Sequence, residues 1–166
     1  MRWEELDREA CSLARTLSVV GDRWTLLVLR ECFLRIRRFE EFEQRLGIAR
    51  HVLADRLKKL TDAGVLEKIP YRERPRREEY RLTEKGLALY PAMLALLDWG
   101  DKYMSGKEGP PLLRRHKTCG HVAHAVPSCS ECGEPLDARA MTVEAGPGAP
   151  ADFFLPQSPS NKAVER

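Results

Sequence analysis

The spacing of apolar positions changes from helical to strand-like between residues 39 and 82, and the rest of the chain is arranged around that stretch. FEEFEQRL (39–46) has the pattern of a short amphipathic helix, and Gly47 marks a turn after it. A second helix is predicted from about Arg50 to Ala63. In it Leu53, Leu57 and Leu60 fall at i, i+4 and i+7 and share one stripe. At about 100° per residue, His51, Asp55, Lys58 and Asp62 point the other way, with Arg56 and Lys59 on the flank. Gly64 reads as the stop. Two strand-like runs, near Val65 to Ile69 and Glu79 to Leu82, then flank a basic loop in which Pro70 and Pro75 remove ladder donors.

The flanking segments follow the same logic. A helix is predicted from about Cys11 to Val20, with Leu13, Leu17 and Val20 on one face and Gly21 after it. Asp22 is placed to cap the next helix, WTLLVLRECFL, which is apolar nearly all round and so belongs in a core. Arg35, Arg37 and Arg38 leave its C-terminal end, where a cation favours the helix dipole; capping there competes with contact to a polyanion. Thr83 caps a long helix over 84–104, bent at Pro91. Its apolar residues spread over two faces, Leu89, Met93, Leu96, Gly100 and Tyr103 on one and Tyr90, Leu94 and Leu97 on the other. One face can cover the domain and the other needs a partner, which predicts a symmetric homodimer through this helix; the alternative is a helix buried in a larger core.

These elements divide the chain into a domain over 1–104, a Gly/Pro linker over 105–111, a small unit over 112–143, and a tail over 144–166. The tail is expected to be disordered unless Phe153, Phe154 and Leu155 dock. The fold class is mainly α with a small β wing: a winged helix-turn-helix domain followed by a zinc-ribbon-like unit.

Composition changes this picture only where it is uneven. A length of 166 residues allows one domain and an appendage, and 43% hydrophobic content is enough for a core. Net charge is a modest +3, but residues 50–81 carry ten Lys or Arg against six Asp or Glu. Arg72, Arg74, Arg76 and Arg77 crowd the hairpin tip with only Glu73 among them. A charge run is most often a solvated face; beside a helix-turn-helix, phosphate contact becomes the better reading. The N-terminus has acids and no apolar run, and no stretch approaches the ~18 apolar residues of a membrane span. A cytosolic location with reduced thiols is expected.

Five cysteines is an odd number. His116-Lys-Thr-Cys119-Gly and Cys129-Ser-Glu-Cys132-Gly share one form, two soft ligands separated by two residues and then glycine. Two such knuckles supply the four ligands of tetrahedral structural Zn2+ and leave no open position for catalysis. Other readings stay open: a vestigial site, a disulfide from Cys119 to Cys129 or Cys132, or His121 or His124 in place of His116. Cys32 lies on the apolar helix and is expected in the core. Cys11 opens the first helix, where a thiolate is favoured, so it is a candidate redox sensor as well as a packing residue.

The motifs GDRW (21–24), RFEEF (38–42), VLADRLKKL (52–60), DAGVLEK (62–68), EYRLTEKG (79–86) and WG (99–100) together resemble the HxlR family of bacterial winged-helix transcriptional regulators, over roughly Cys11 to Tyr103. The resemblance implies a homodimeric DNA-binding regulator whose second motif helix enters the major groove. By position, Arg50, His51, Asp55 and Arg56 fall in its recognition helix and Arg76 and Arg77 in its wing. Some members sense oxidants through a cysteine near the start of helix one, where Cys11 stands. Departures are Ala49 where serine often caps the recognition helix, a cost of about 1 kcal/mol, Ala54 where a small polar residue is common, and Arg35 where glycine is expected.

These readings converge on a cytosolic, non-enzymatic regulator, expected to be a repressor acting as a homodimer on a roughly palindromic operator. Arg38, Arg50, His51, Asp55, Arg56, Lys59, Arg74, Arg76 and Arg77 are the candidate contacts to double-stranded DNA. Asp55 can accept from a cytosine amino group or pair with Lys58 or Lys59. Arg56 is expected on phosphate, so that its charge reversal abolishes binding without unfolding the protein. His116, Cys119, Cys129 and Cys132 are the metal candidates. A small apolar molecule between subunits, or oxidation of Cys11, is the expected kind of effector. A protein-binding adaptor and a thiol or metal-dependent enzyme are the rival classes. The second finds no nucleophile and base in one motif.

Overall fold

A computed structural model of the chain describes residues 3–74 and 77–150. Arg76 and Pro75 of the wing tip, and Phe153, Phe154 and Leu155 of the tail, lie outside the described residues. A 3-10 turn (Trp3–Arg8) precedes α1 (Ser12–Val20), α2 (Arg23–Phe33), α3 (Phe39–Leu46), α4 (Arg50–Asp62), β1 (Leu66–Arg72), β2 (Arg77–Leu82), α5 (Glu84–Leu87) and α6 (Tyr90–Met104). The fold is mainly helical with one two-stranded antiparallel sheet, the wing.

Asp22 caps α2 as its position predicts, accepting from the N–H groups of Trp24 at 3.0 Å and Thr25 at 3.2 Å. Of the α2 residues only Arg23 is exposed. Its C-terminal end is closed by the backbone, with Leu34 N–H donating to Arg30 O, Arg35 N–H to Cys32 O and Ile36 N–H to Glu31 O. That closure puts Arg35 at φ 67°, a conformation otherwise taken by glycine among the described residues. The side chains expected to compete for this helix end go elsewhere: Arg37 reaches Glu79 at 3.9 Å, and Arg38 lies over the Tyr71 ring at 4.8 Å. Backbone amides already fill the terminal carbonyls, so a side-chain cap has nothing left to bind.

Behind α2 the core is assembled from Val28, Leu29, Phe42, Leu53, Leu57, Leu60, Val65 and Leu66, each no more than 2% exposed. Each such side chain contributes about 1.5–3 kcal/mol through removal from water. The stripe of three leucines on α4 is therefore the side that seats the helix, against α2 and the start of β1. Gly47, at φ 58°, makes the turn that lets α3 and α4 share this core.

Two elements differ from expectation. The hairpin is longer than the predicted runs, β1 continuing to Arg72 and β2 beginning at Arg77, and Pro70 lies inside β1 opposite Glu78 instead of in the loop. In a two-stranded ribbon each strand has a free edge, so a missing N–H is tolerated there, and the register slips just beyond it, between Pro70 and Arg72. The single bent helix over 84–104 is two helices. Thr83 Oγ1 accepts from Gly86 N–H at 3.1 Å and caps α5, but α5 ends in a turn at Ala88 and Leu89. Pro91 then lies in the first turn of α6, where its missing N–H costs nothing, so it starts a helix and bends none. At Gly86 the backbone of α5 lies so close to the residue before β1 that a Cβ there would stand 2.3 Å from the Val65 carbonyl oxygen.

Residues 105–150 contain no named strand or helix, only two isolated antiparallel bridges, Arg115 with Val122 and Ser128 with Pro135. This segment is tied to α6 through Asp98, which accepts from Ala125 N–H and from Arg114 at 3.1 Å and faces His124 Nδ1 at 3.4 Å; Arg114 also pairs with Asp101. Burial pushes the Asp98 carboxyl up, but the Ala125 amide, Arg114 and His124 outweigh it and hold it below its ordinary range.

Candidate nucleic-acid interface

The face of α4 opposite the leucine stripe is the site. His51, Asp55, Lys58 and Asp62 are all exposed, while Leu53, Leu57 and Leu60 are fully buried. Ala49 at the N-cap offers no side-chain acceptor, so the first N–H groups of α4 have no cap from within the protein. A phosphate placed there meets both those donors and the positive end of the helix dipole.

Arg50, the first residue of α4, lies over the Phe39 ring at 4.6 Å and donates to Glu43 at 2.9 Å, yet remains largely exposed. It is held in place by α3 while its outer edge faces solvent. His51 and Asp55 make no side-chain hydrogen bond or ion pair among the described residues. The alternative partner for Asp55 on the next turn is lost in part, because Lys58 is engaged by Asp62 at 2.5 Å.

Arg56 is placed differently from its sequence expectation. Its guanidinium reaches back to Asp22, Nε to Oδ1 at 2.8 Å and Nη2 to Oδ2 at 3.4 Å, tying α4 to the cap of α2. Partial burial pushes the Asp22 carboxyl up, but the Arg56 side chain and the Thr25 and Trp24 amides together hold it below its ordinary 3.8. Loss of Arg56 therefore removes a tertiary tie as well as any phosphate contact. Lys59 shares with Arg56, Asp22, Ser18, Gly21 and Arg23 a surface hollow of about 490 Å³. Arg23 was not among the sequence candidates; its position as the exposed first residue of the buried α2 was the available signal.

Arg38, at the N-cap of α3, stacks on Tyr71 of β1 and so joins the base of α3 to the wing. Arg74 is exposed in the hairpin turn, and its carbonyl accepts from Arg72 Nε at 3.1 Å. Arg77 opens β2 directly across from Arg72. Three arginines, Arg72, Arg74 and Arg77, thus come together at the described part of the wing tip. Arg72 belongs to the basic run but was not singled out by spacing.

Elsewhere on the domain, α1 and α6 pool their apolar residues. Leu13 is 66% exposed, Leu96 56% and Trp99 58%, and with Leu17, Val20 and Met93 they line an open groove of about 540 Å³. The apolar face of α1 that carries Leu13, Leu17 and Val20 is thus only partly used by its own domain.

Of the cysteines, Cys32 is buried as expected; burial, with the Glu31 carboxylate adding, pushes its thiol up to about 12 and leaves it protonated. Cys11 is exposed at the N-cap of α1. His116 Nδ1 stands 3.5 Å from Cys119 Sγ, and Cys129 Sγ lies against Cys132. Among the described residues no three His, Cys, Asp or Glu side chains are gathered at one point.

Comparison with known proteins bears on this arrangement. Residues 19–108 match the family described as HxlR-like helix-turn-helix. An HTH-type transcriptional regulator of Mycobacterium tuberculosis, Rv3095, is 47% identical over 140 residues, covering 84% of this chain and 89% of that protein. The crystal structure of PA1607, described as a candidate transcription factor, superposes with a TM-score of 0.77 at 34% identity and covers 84% of this chain and 98% of that one. The oxidised form of the redox regulator HypR superposes with a TM-score of 0.53 at 28% identity, covering 58% of this chain and all of that one.

Proposed function

The chain belongs to the HxlR-like helix-turn-helix family, and on that premise we propose that this DNA-binding transcriptional regulator acts in the bacterial cytoplasm as a homodimeric repressor on a roughly two-fold symmetric operator. The family consists of regulators and not of enzymes. The observation that carries the proposal is the presence of two distinct surfaces: α4 and the wing present exposed cations, and α1 and α6 leave an apolar groove open. Burying the groove in a symmetric partner brings two copies of the cationic surface into one assembly. A two-fold operator read by such a pair has half-sites about 34 Å apart.

In this reading the α4 amides and Arg50 take a phosphate, His51 and Asp55 face base edges, and Arg38, Lys59, Arg74, Arg76 and Arg77 take flanking phosphates. Arg56 supports α4 from behind through Asp22 and adds charge beside the backbone. The test pairs sedimentation with mobility shifts on fragments of the protein's own upstream region. Wild type is expected as a dimer that shifts one fragment at physiological salt. W99E is expected to give monomer and to lose the shift. H51A should relax base preference, whereas R74E with R77E should weaken binding to all sequences and flatten its salt dependence. A monomeric wild type that still binds DNA refutes the dimer, and an unaltered shift by R74E with R77E refutes the wing assignment.

A second reading is favoured by one observation, the exposure of Cys11 at the N-cap of α1, the helix whose Leu13 lines the apolar groove, together with the likeness to the redox regulator HypR. Oxidation there would act at the proposed dimer seam. Treatment with peroxide should alter the shift in wild type and leave C11S unaffected.

A further inference from the structure

The two knuckles of the C-terminal segment have one backbone frame, repeated at an offset of thirteen residues. In the first, Gly120 N–H donates to His116 O, His116 N–H to His121 O, and Ala123 N–H to Arg114 O. In the second, Gly133 N–H donates to Cys129 O, Cys129 N–H to Glu134 O, and Leu136 N–H to Pro127 O. The isolated bridges repeat at the same offset, Arg115 with Val122 and Ser128 with Pro135. Gly120 and Gly133 both take the left-handed conformation, at φ 73° and 76°. Chance does not make two irregular loops identical bond for bond, so the frame has a common purpose.

That purpose is visible in what each frame holds. The turn places its first and fourth residues on the same side, His116 with Cys119 and Cys129 with Cys132. In the second knuckle Cys129 and Cys132 take the same two positions of the frame that His116 and Cys119 take in the first. In the first, His116 Nδ1 and Cys119 Sγ are 3.5 Å apart. A tetrahedral ion with Zn–N of about 2.05 Å and Zn–S of about 2.3 Å requires that edge to be about 3.6 Å. The pair already has the spacing of two ligands on one ion.

From these matched frames we propose that His116, Cys119, Cys129 and Cys132 bind one structural Zn2+ per chain, the ion joining the two knuckles into a single unit. In the structure the halves stand as separate pairs, and closing them is the work the ion does. Coordination forms three Zn–S bonds and one Zn–N bond; three thiol protons pass to solvent and the imidazole binds neutral. The set is closed, so no water is activated. His124 lies outside the first-and-fourth positions of both frames, and its Nδ1 faces Asp98 on α6 at 3.4 Å. A segment with so little core of its own has few other sources of stability. The exposure of Leu112, Leu113, Val126 and Met141 agrees with this, since apolar burial does not hold the unit together.

The test uses the full chain, purified without a histidine tag or chelator, and elemental analysis. One zinc per chain is expected, and cobalt loaded in its place should give the intense visible absorption of a tetrahedral thiolate site, displaced by zinc. C119S, C132S and H116A should each lose the metal, and H121A and H124A should keep it. Far-ultraviolet dichroism checks that the winged-helix core remains folded in every variant. Less than about half an equivalent in wild type, or full metal content in C132S, overturns the site. Loss of metal in H121A with retention in H116A overturns the assignment of the fourth ligand. None of these outcomes depends on DNA binding.

Discussion

Asp22 joins two otherwise separate roles, and substitution can separate them. Its carboxylate accepts from the Trp24 and Thr25 amides at the start of α2 and receives the Arg56 guanidinium from α4, thirty-four residues away. Asn keeps the capping oxygen and removes the charge; Ala removes both. The cap contributes about 1 kcal/mol, and an ion pair about two-thirds removed from water contributes about 1 kcal/mol more. D22N should therefore lower stability by about 1 kcal/mol and D22A by about 2 kcal/mol, from urea unfolding followed by circular dichroism. A double-mutant cycle of D22N with R56M should recover a coupling of about 1 kcal/mol. The folded carboxyl lies below its ordinary 3.8, so the advantage of wild type over D22N is complete above that value and fades as pH falls through the lower folded value. Equal losses in D22N and D22A would show that the cap contributes nothing. A coupling near zero would reduce the Arg56 contact to a solvated pair and restore Arg56 to a purely DNA-facing role.

Three further outcomes follow from single contacts. Glu31 on α2, 1% exposed, receives Arg30 and also Arg45 from α3; E31Q should cost about 2 kcal/mol, and acid unfolding of wild type should show an extra proton uptake that the variant lacks. Burial pushes that carboxyl up, but Arg45 and Arg30 hold it below its ordinary 4.5, so its contribution disappears only as pH falls through the lower folded value. G86A puts a methyl against the Val65 carbonyl and should cost about 2 kcal/mol in thermal or urea unfolding; a neutral result would mean that α5 does not approach Val65 this closely. Thr25 Oγ1 is fully buried with no hydrogen-bond partner among the described residues, so T25V should raise stability by about 1 kcal/mol, and a loss instead would reveal a bond to that hydroxyl.

What could be read from the chain alone was whatever depends on neighbours within a turn or two. The leucine stripe of α4, the αL turn at Gly47, the Asp22 and Thr83 caps and the exposure of His51 and Asp55 all follow from period and from side chains that bond their own backbone. The spacing of the two knuckles is equally local, and so is the backbone frame each of them takes. Periodicity says that a face is covered without saying by what. Tertiary structure therefore decided that Arg56 turns to Asp22 instead of outward, that Glu31 unites α2 with α3, and that α5 sits against the Val65 carbonyl at Gly86. It also decided that Leu13 and Leu17 join Leu96 and Trp99 in one open groove and do not fill the core. Each of these is a meeting of residues far apart in sequence, selected by the shape left between packed helices, and no pattern along a single segment records that shape.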